Sequence, residues 1–144
     1  MQLRLTREFS FEMAHALPAY EGKCRNIHGH SYHLYVTVEG TPLQQQGAPT
    51  DGMVIDFHQL KEIVNKQIIN KFDHALVLPQ RDSRESDTEL GGYGAKLIFT
   101  QFQPTSENLL IHFAELLQDA IPEGTRLYSL KLFETEASCA ELIL

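Results

Sequence analysis

Three histidines and one cysteine fall close together in the chain: His15, Cys24, His28 and His30. In a strand, residues i and i+2 face the same way, so His28 and His30 share one side across Gly29. His33 has the opposite parity and is expected to point away. His15 closes an earlier alternating segment, and a loop then returns the chain to His28. Antiparallel pairing of the two segments carries His15 alongside the other pair. Three imidazoles converging in this way form a nest for zinc and leave a fourth position open, as catalytic zinc sites require. An isolated histidine is usually a surface or core residue, and His58 and His112, on helical stretches, are read that way. The H-x-H spacing is a weak signal alone; it gains weight from the strand-terminal His15 and the polar loop around Cys24.

That loop runs Tyr20-Glu21-Gly22-Lys23-Cys24-Arg25-Asn26, and its two cationic neighbours favour a reactive thiolate over a buried thiol. A free thiol of pKa about 8.5 is only ~3% ionised at pH 7, so a base at this position needs help. A dication and an imidazole nearby both supply it. Two roles are open to Cys24: a proton acceptor, or the fourth ligand of a closed structural site. Removing the metal would unfold a protein with a structural site and only inactivate one with a catalytic site. Cys139, in an apolar-polar stretch, is expected to be a small buried hydrophobe. Two further constellations bear chemistry. Asp73-His74 sets a carboxylate beside an imidazole, a pairing that chance often provides. Glu134, in Phe133-Glu134-Thr135 at a strand end, is either an edge charge or an anchor for a guanidine-like ligand edge.

The elements that must position these groups can be read from the periodicity. Residues 2–14 and 30–39 alternate as strands, the second through Tyr32, Leu34, Val36 and Val38. Asp56 starts a helix whose stripe is Phe57, Leu60, Ile63, Val64 and Ile68. Pro104-Thr105-Ser106-Glu107 announces a second helix, ended by Pro122-Glu123-Gly124. Strands at about 126–134 and 138–143 complete a β-β-α-α-β-β order. That order predicts a single α+β domain over 1–144, with two helices on one face of an antiparallel sheet. Residues 79–96, with Pro79 and Gly91-Gly92-Tyr93-Gly94, read as a long mobile loop. The 144 residues carry 12 basic and 19 acidic side chains, a formal charge of −7. That balance argues against nucleic acid or an anionic membrane as partner. No signal segment and no membrane span is expected, so the chain reads as cytoplasmic.

Taken together, Cys24-Arg25-Asn26-Ile27-His28-Gly29-His30-Ser31-Tyr32 resembles the C-x3-H-G-H-[NS]-[YF] motif of the 6-pyruvoyltetrahydropterin synthase family, which includes the 6-carboxytetrahydropterin synthases. Phe11-Glu12-Met13-Ala14-His15 is similar to that family's strand ending in A-H. Asp73-His74, Pro104-Thr105-Ser106-Glu107-Asn108 and Phe133-Glu134-Thr135 follow in the family's order. The resemblance implies the tunnelling fold, with sheets joined into trimeric barrels and two trimers stacked as a homo-hexamer. It implies zinc on His15, His28 and His30, and Cys24 as proton acceptor. Asp73 and His74 would relay the proton from a neighbouring subunit. Glu134 would anchor a pterin and be linked to that catalytic relay, with Thr105, Ser106 and Glu107 lining the pocket. The implied substrate is 7,8-dihydroneopterin triphosphate. One branch of the family eliminates triphosphate to give 6-pyruvoyltetrahydropterin. The other also releases acetaldehyde, giving 6-carboxytetrahydropterin on the route to queuosine, and the compact chain favours that branch. A rival of another class is a zinc-stabilised oligomer that binds a pterin or purine without turning it over.

Overall fold

Alternating apolar residues from Leu3 onward produce a long strand, β1 (Leu3–His15), that buries Phe9, Phe11, Met13 and His15 on one face. The structure is a computed structural model that describes residues 1–80, 90, 93 and 96–144. A short 3-10 turn (Lys23–Arg25) interrupts the return loop, and β2 (His28–Gly40) then runs back antiparallel to β1. The register pairs His15 with His28 and Met13 with His30. Tyr32, Leu34, Val36 and Val38 continue the face that His28 and His30 begin, and all four are fully buried.

Asp56 caps α1 (Phe57–Val64), its carboxylate accepting from the His58 amide at 2.7 Å. The helix widens into a π-helical turn (Asn65–Ile69) and closes with α2 (Asn70–Phe72). Leu60, Val64, Ile68 and Phe72 turn inward, whereas Phe57, the first residue of the expected stripe, is exposed. Thr105 caps α3 (Ser106–Gln118), accepting from the Asn108 amide at 3.3 Å. This helix buries Leu109, Leu110, Phe113 and Leu117.

The sheet carries more than the four antiparallel strands read from the periodicity. Between the helices lie β3 (Ala75–Pro79) and β4 (Lys96–Thr100), and after α3 come β5 (Thr125–Thr135) and β6 (Ser138–Ile143). The six strands lie in the order β4-β3-β1-β2-β5-β6. β1, β2, β5 and β6 pair antiparallel in sequence, while β3 and β4 join β1 in parallel. The loop expected over 79–96 is thus flanked by strand at both ends, and most of it lies outside the described residues. The helices cover one sheet face, where Phe11 stacks on Tyr32 with ring centroids 5.2 Å apart and meets Phe113 edge-on. The other face is polar, and His33 points to it as its parity required, bonded to Glu8 at 2.7 Å. At its far end Glu39 is gripped by Arg4 and Arg126.

Leu34 is fully buried in the middle of β2, between Phe9 of β1 and Leu132 of β5. Leu34→Ala removes its contacts and leaves a cavity between three elements. We expect a loss of about 2–5 kcal/mol in urea unfolding. A loss below ~1 kcal/mol would mean that the two long strands are not the centre of the core.

Candidate metal centre and pocket

Strand pairing delivers three rings to one point. Their nearest nitrogens lie within 4.8 Å of one another, and His15 and His28 bring their Nε2 atoms to 3.0 Å. His15 is wholly buried, and its Nδ1–H donates to the Pro104 carbonyl at 2.7 Å. His28 does the same through Nδ1–H to the Asn26 carbonyl at 2.8 Å. A neutral imidazole holds one proton, so each Nε2 is left with a lone pair aimed at its neighbour. Two lone pairs 3.0 Å apart repel unless a cation or proton lies between them. The Nε2 of His30 is buried and has no hydrogen-bond partner among the described residues. Burial pushes the His15 and His30 imidazoles below their ordinary pKa, toward the neutral form that binds metal.

These residues fit a metal ion. All three donors are imidazole nitrogens, and two are oriented by backbone carbonyls, the arrangement that fixes ring and tautomer in metal sites. Cys24 is not among the converging ligand atoms, so the described residues offer a three-histidine group rather than a closed set of four.

Cys24 sits instead in the 3-10 turn, held where the Leu17 amide donates to its carbonyl at 2.9 Å. Its side chain lines a cavity of about 300 Å³ together with Thr105, Ser106, Glu107 and Glu134. Glu134 links this cavity to the metal ligands, because its Oε1 lies 3.4 Å from the Nε2 of both His15 and His30. Residues expected from distant parts of the sequence thus meet at one place. Cys139 reaches the same cavity from β6 and is exposed, not buried as its stretch suggested. It lies on an edge strand at a position whose alternation turns outward, which the composition of the segment did not reveal.

Asp73 and His74 lie elsewhere. Asp73 accepts from the Glu12 amide at 2.9 Å, and the His74 amide donates to the Glu12 carbonyl at 2.6 Å. This double clamp holds His74 at φ 60°, sparsely populated by any residue but glycine. The Glu12 amide bond, and His74 second, hold the Asp73 carboxyl below its usual range. The His74 ring is largely exposed and lines a second cavity with Glu12, Ser31 and Lys96. Within one chain the pair does not share the cavity that Cys24 lines. Lys96 supports the corner by donating to the carbonyls of Asn70 at 2.6 Å and Asp73 at 3.2 Å.

Several participants escaped the reading of motifs. The carbonyls of Asn26 and Pro104 carry no side-chain signal. Tyr32 closes the motif that begins at Cys24 but is given no role there beyond its place in the strand. Yet its parity with His30 places it on the ligand face, and its hydroxyl lies 3.5 Å from Glu134 Oε1. Burial, with the Glu134 charge second, pushes the Tyr32 phenol well above its usual pKa, so it stays protonated.

Fold and site together define an α+β domain whose central strand pair carries three histidines able to hold a metal ion, beside a thiol-lined pocket. A family model described as 6-pyruvoyl tetrahydropterin synthase matches residues 4–143. The chain belongs to that family. The 6-carboxy-5,6,7,8-tetrahydropterin synthase of Haemophilus influenzae is 40% identical over 141 residues, covering 96% of each chain. The protein of the same name from Rickettsia typhi is 33% identical over 146 residues, covering 97% of this chain and 99% of its own. Among solved structures, 6-pyruvoyl tetrahydropterin synthase of Caenorhabditis elegans shares the fold with a TM-score of 0.71 at 24% identity, over 100% of this chain and 96% of that one. The Wolinella succinogenes protein WS1659 does so with a TM-score of 0.77, also at 24% identity, over 99% of this chain and 98% of that one.

The geometry predicts about one divalent ion per purified chain. His28→Ala deletes one of three imidazoles and should empty the site under dialysis that leaves the parent loaded. Full occupancy of that variant, measured by elemental analysis, would remove His28 from the ligand set.

Proposed function

We propose that the protein is a zinc-dependent lyase that converts 7,8-dihydroneopterin triphosphate to 6-carboxytetrahydropterin, with loss of triphosphate and acetaldehyde. The observation that carries this reading is the cavity in which Cys24, Glu134 and the start of α3 meet directly beside three converging imidazoles. A binding site alone has no use for a thiol placed where a base would stand. The choice between the two products follows relatives at 40% and 33% identity that bear the name 6-carboxy-5,6,7,8-tetrahydropterin synthase. That choice carries a place on the route to queuosine.

Three nitrogen donors and an open fourth position suit zinc. Held by His15, His28 and His30, a zinc ion would supply Lewis acidity toward a substrate hydroxyl. The chain's own groups do the rest. Glu134 offers two carboxylate oxygens to the N3–H and 2-amino donors of a pterin, a paired match that sets the ring's orientation. Thr105, Ser106 and Glu107 border the ring's space at the N-terminus of α3. Cys24 takes the proton from the side-chain carbon. Asp73 and His74, remote from Cys24 in their own chain, serve the site of a neighbouring copy and pass that proton on. A homo-hexamer built as a dimer of trimers, with sites between subunits, accommodates this. Among the described residues no helix is long and apolar enough to cross a membrane, and the reading places the enzyme in the cytoplasm.

The direct test is to incubate the zinc-loaded protein with dihydroneopterin triphosphate and identify the products by mass. Release of acetaldehyde is expected. Triphosphate loss alone would select 6-pyruvoyltetrahydropterin as product, and bound but unaltered substrate would favour a binding protein. Two substitutions divide the labour within the site. Cys24→Ala should lower turnover by roughly 10²–10⁴, the range for removing a general base, with zinc content unchanged. Zinc lost together with activity would instead make the thiol a ligand. Glu134→Gln puts an N–H where the pterin presents N–H, and should weaken pterin binding by about 30- to 1000-fold while zinc stays bound. Parent-like affinity would reduce Glu134 to an edge-strand charge.

A further inference from the structure

Among the described residues, Glu134 has three polar neighbours: the Nε2 atoms of His15 and His30 at 3.4 Å, and the Tyr32 hydroxyl at 3.5 Å. The two imidazoles cannot hold it. His15 spends its one proton on Pro104, so its Nε2 presents a lone pair to the carboxylate. His30 Nε2 has no hydrogen-bond partner, and as a metal ligand it too has no proton to give. The donor that remains is Tyr32. Its own options are just as narrow, because its other hydrogen-bond contact among the described residues is His15 Nδ1, at 3.5 Å, which is already a donor. The hydroxyl hydrogen therefore has one acceptor within reach, Glu134 Oε1.

Packing aims the hydroxyl. Tyr32 is fully buried, stacked on Phe11 at 9° between planes, and met edge-on by the His15 and His30 rings at 6.2 and 5.6 Å. A ring gripped on both sides cannot swing to solvent, and a buried hydroxyl left without an acceptor is costly. Glu134 by contrast is partly exposed and lies within the register shift between Phe133 and Thr135, where it has no ladder partner on β6.

We propose that Tyr32 is the positioning residue of the pocket: its hydroxyl, fixed among the three histidine rings, tethers Glu134 through Oε1 and so sets where the carboxylate meets the pterin edge. The inference rests on the pocket reading given above and adds to it how the anchor is held. A tether at 3.5 Å is longer than the 2.5–3.0 Å of an ordinary O–H···O bond, so its effect on binding is moderate.

A double-mutant cycle tests this, with biopterin as the probe because it has no triphosphate to eliminate. Four zinc-loaded proteins are titrated by calorimetry: the parent, Tyr32→Phe, Glu134→Ala and the double variant. Tyr32→Phe deletes one oxygen and keeps the stacked ring, so zinc content and fold are expected to match the parent. Biopterin affinity should fall about 5- to 20-fold in Tyr32→Phe, yet change less than ~2-fold when the same substitution is made in Glu134→Ala. A purely structural role for the hydroxyl predicts the same loss in both backgrounds, and that result would overturn the proposal. So would unchanged affinity in Tyr32→Phe while Glu134→Ala binds weakly, which leaves the pocket reading intact. Unchanged affinity in Glu134→Ala would overturn the pocket reading and this inference together.

Discussion

The Nδ1–H groups of His15 and His28 are taken up by the carbonyls of Pro104 and Asn26, and the remaining features of the site follow from that pair of hydrogen bonds. Each bond decides a tautomer, and each tautomer sends an Nε2 lone pair inward. Each also ties a ligand to a separate piece of the pocket. Pro104 directly precedes the Thr105 cap of α3, so the bond that orients His15 also sets where Ser106 and Glu107 begin. Asn26 follows the turn that carries Cys24, so the bond that orients His28 fixes the thiol's distance from the metal centre. The three histidines, Cys24 and the start of α3 are thus one connected unit rather than three neighbours.

The sheet gives this unit its rigidity. Thirteen-residue strands β1 and β2 pair over their whole length, and His15 meets His28 at the last rung. The same register stacks Phe11 beside Tyr32 below the ligands, so the site rests directly on the core. A slip of β2 by one residue against β1 would turn His28 and His30 to the polar face and part them from His15. The fully buried residues from Tyr32 to Val38 oppose such a slip, because it would carry the whole apolar set into water. The three histidines and the core thus share this strand pair.

Much of this is legible in the sequence because period-2 alternation states which side chains share a face. The parity of His28 and His30, the outward turn of His33, the caps at Asp56 and Thr105, and the place of Glu134 at a strand end all follow from local rules. What is not legible depends on non-local pairing. β3 and β4 are five residues each and join the sheet in parallel, so neither the alternation nor a hairpin turn marks them. The outward face of Cys139 depends on β6 being the edge strand. The backbone carbonyls that orient the histidines have no sequence signature at all. Tyr32 hides its polar end inside an apolar alternation. Asp73 and His74 are adjacent in sequence, but only the clamp on Glu12 explains why His74 adopts a left-handed backbone there.

The central claim is that three imidazoles, and no thiolate, hold a catalytic zinc. X-ray absorption at the zinc edge of the loaded protein measures this directly. The account predicts three nitrogen scatterers at about 2.0–2.1 Å plus one light-atom ligand, with the light atom alone changing when a pterin is added. A sulfur scatterer near 2.3 Å would place Cys24 on the metal and contradict its role as the base.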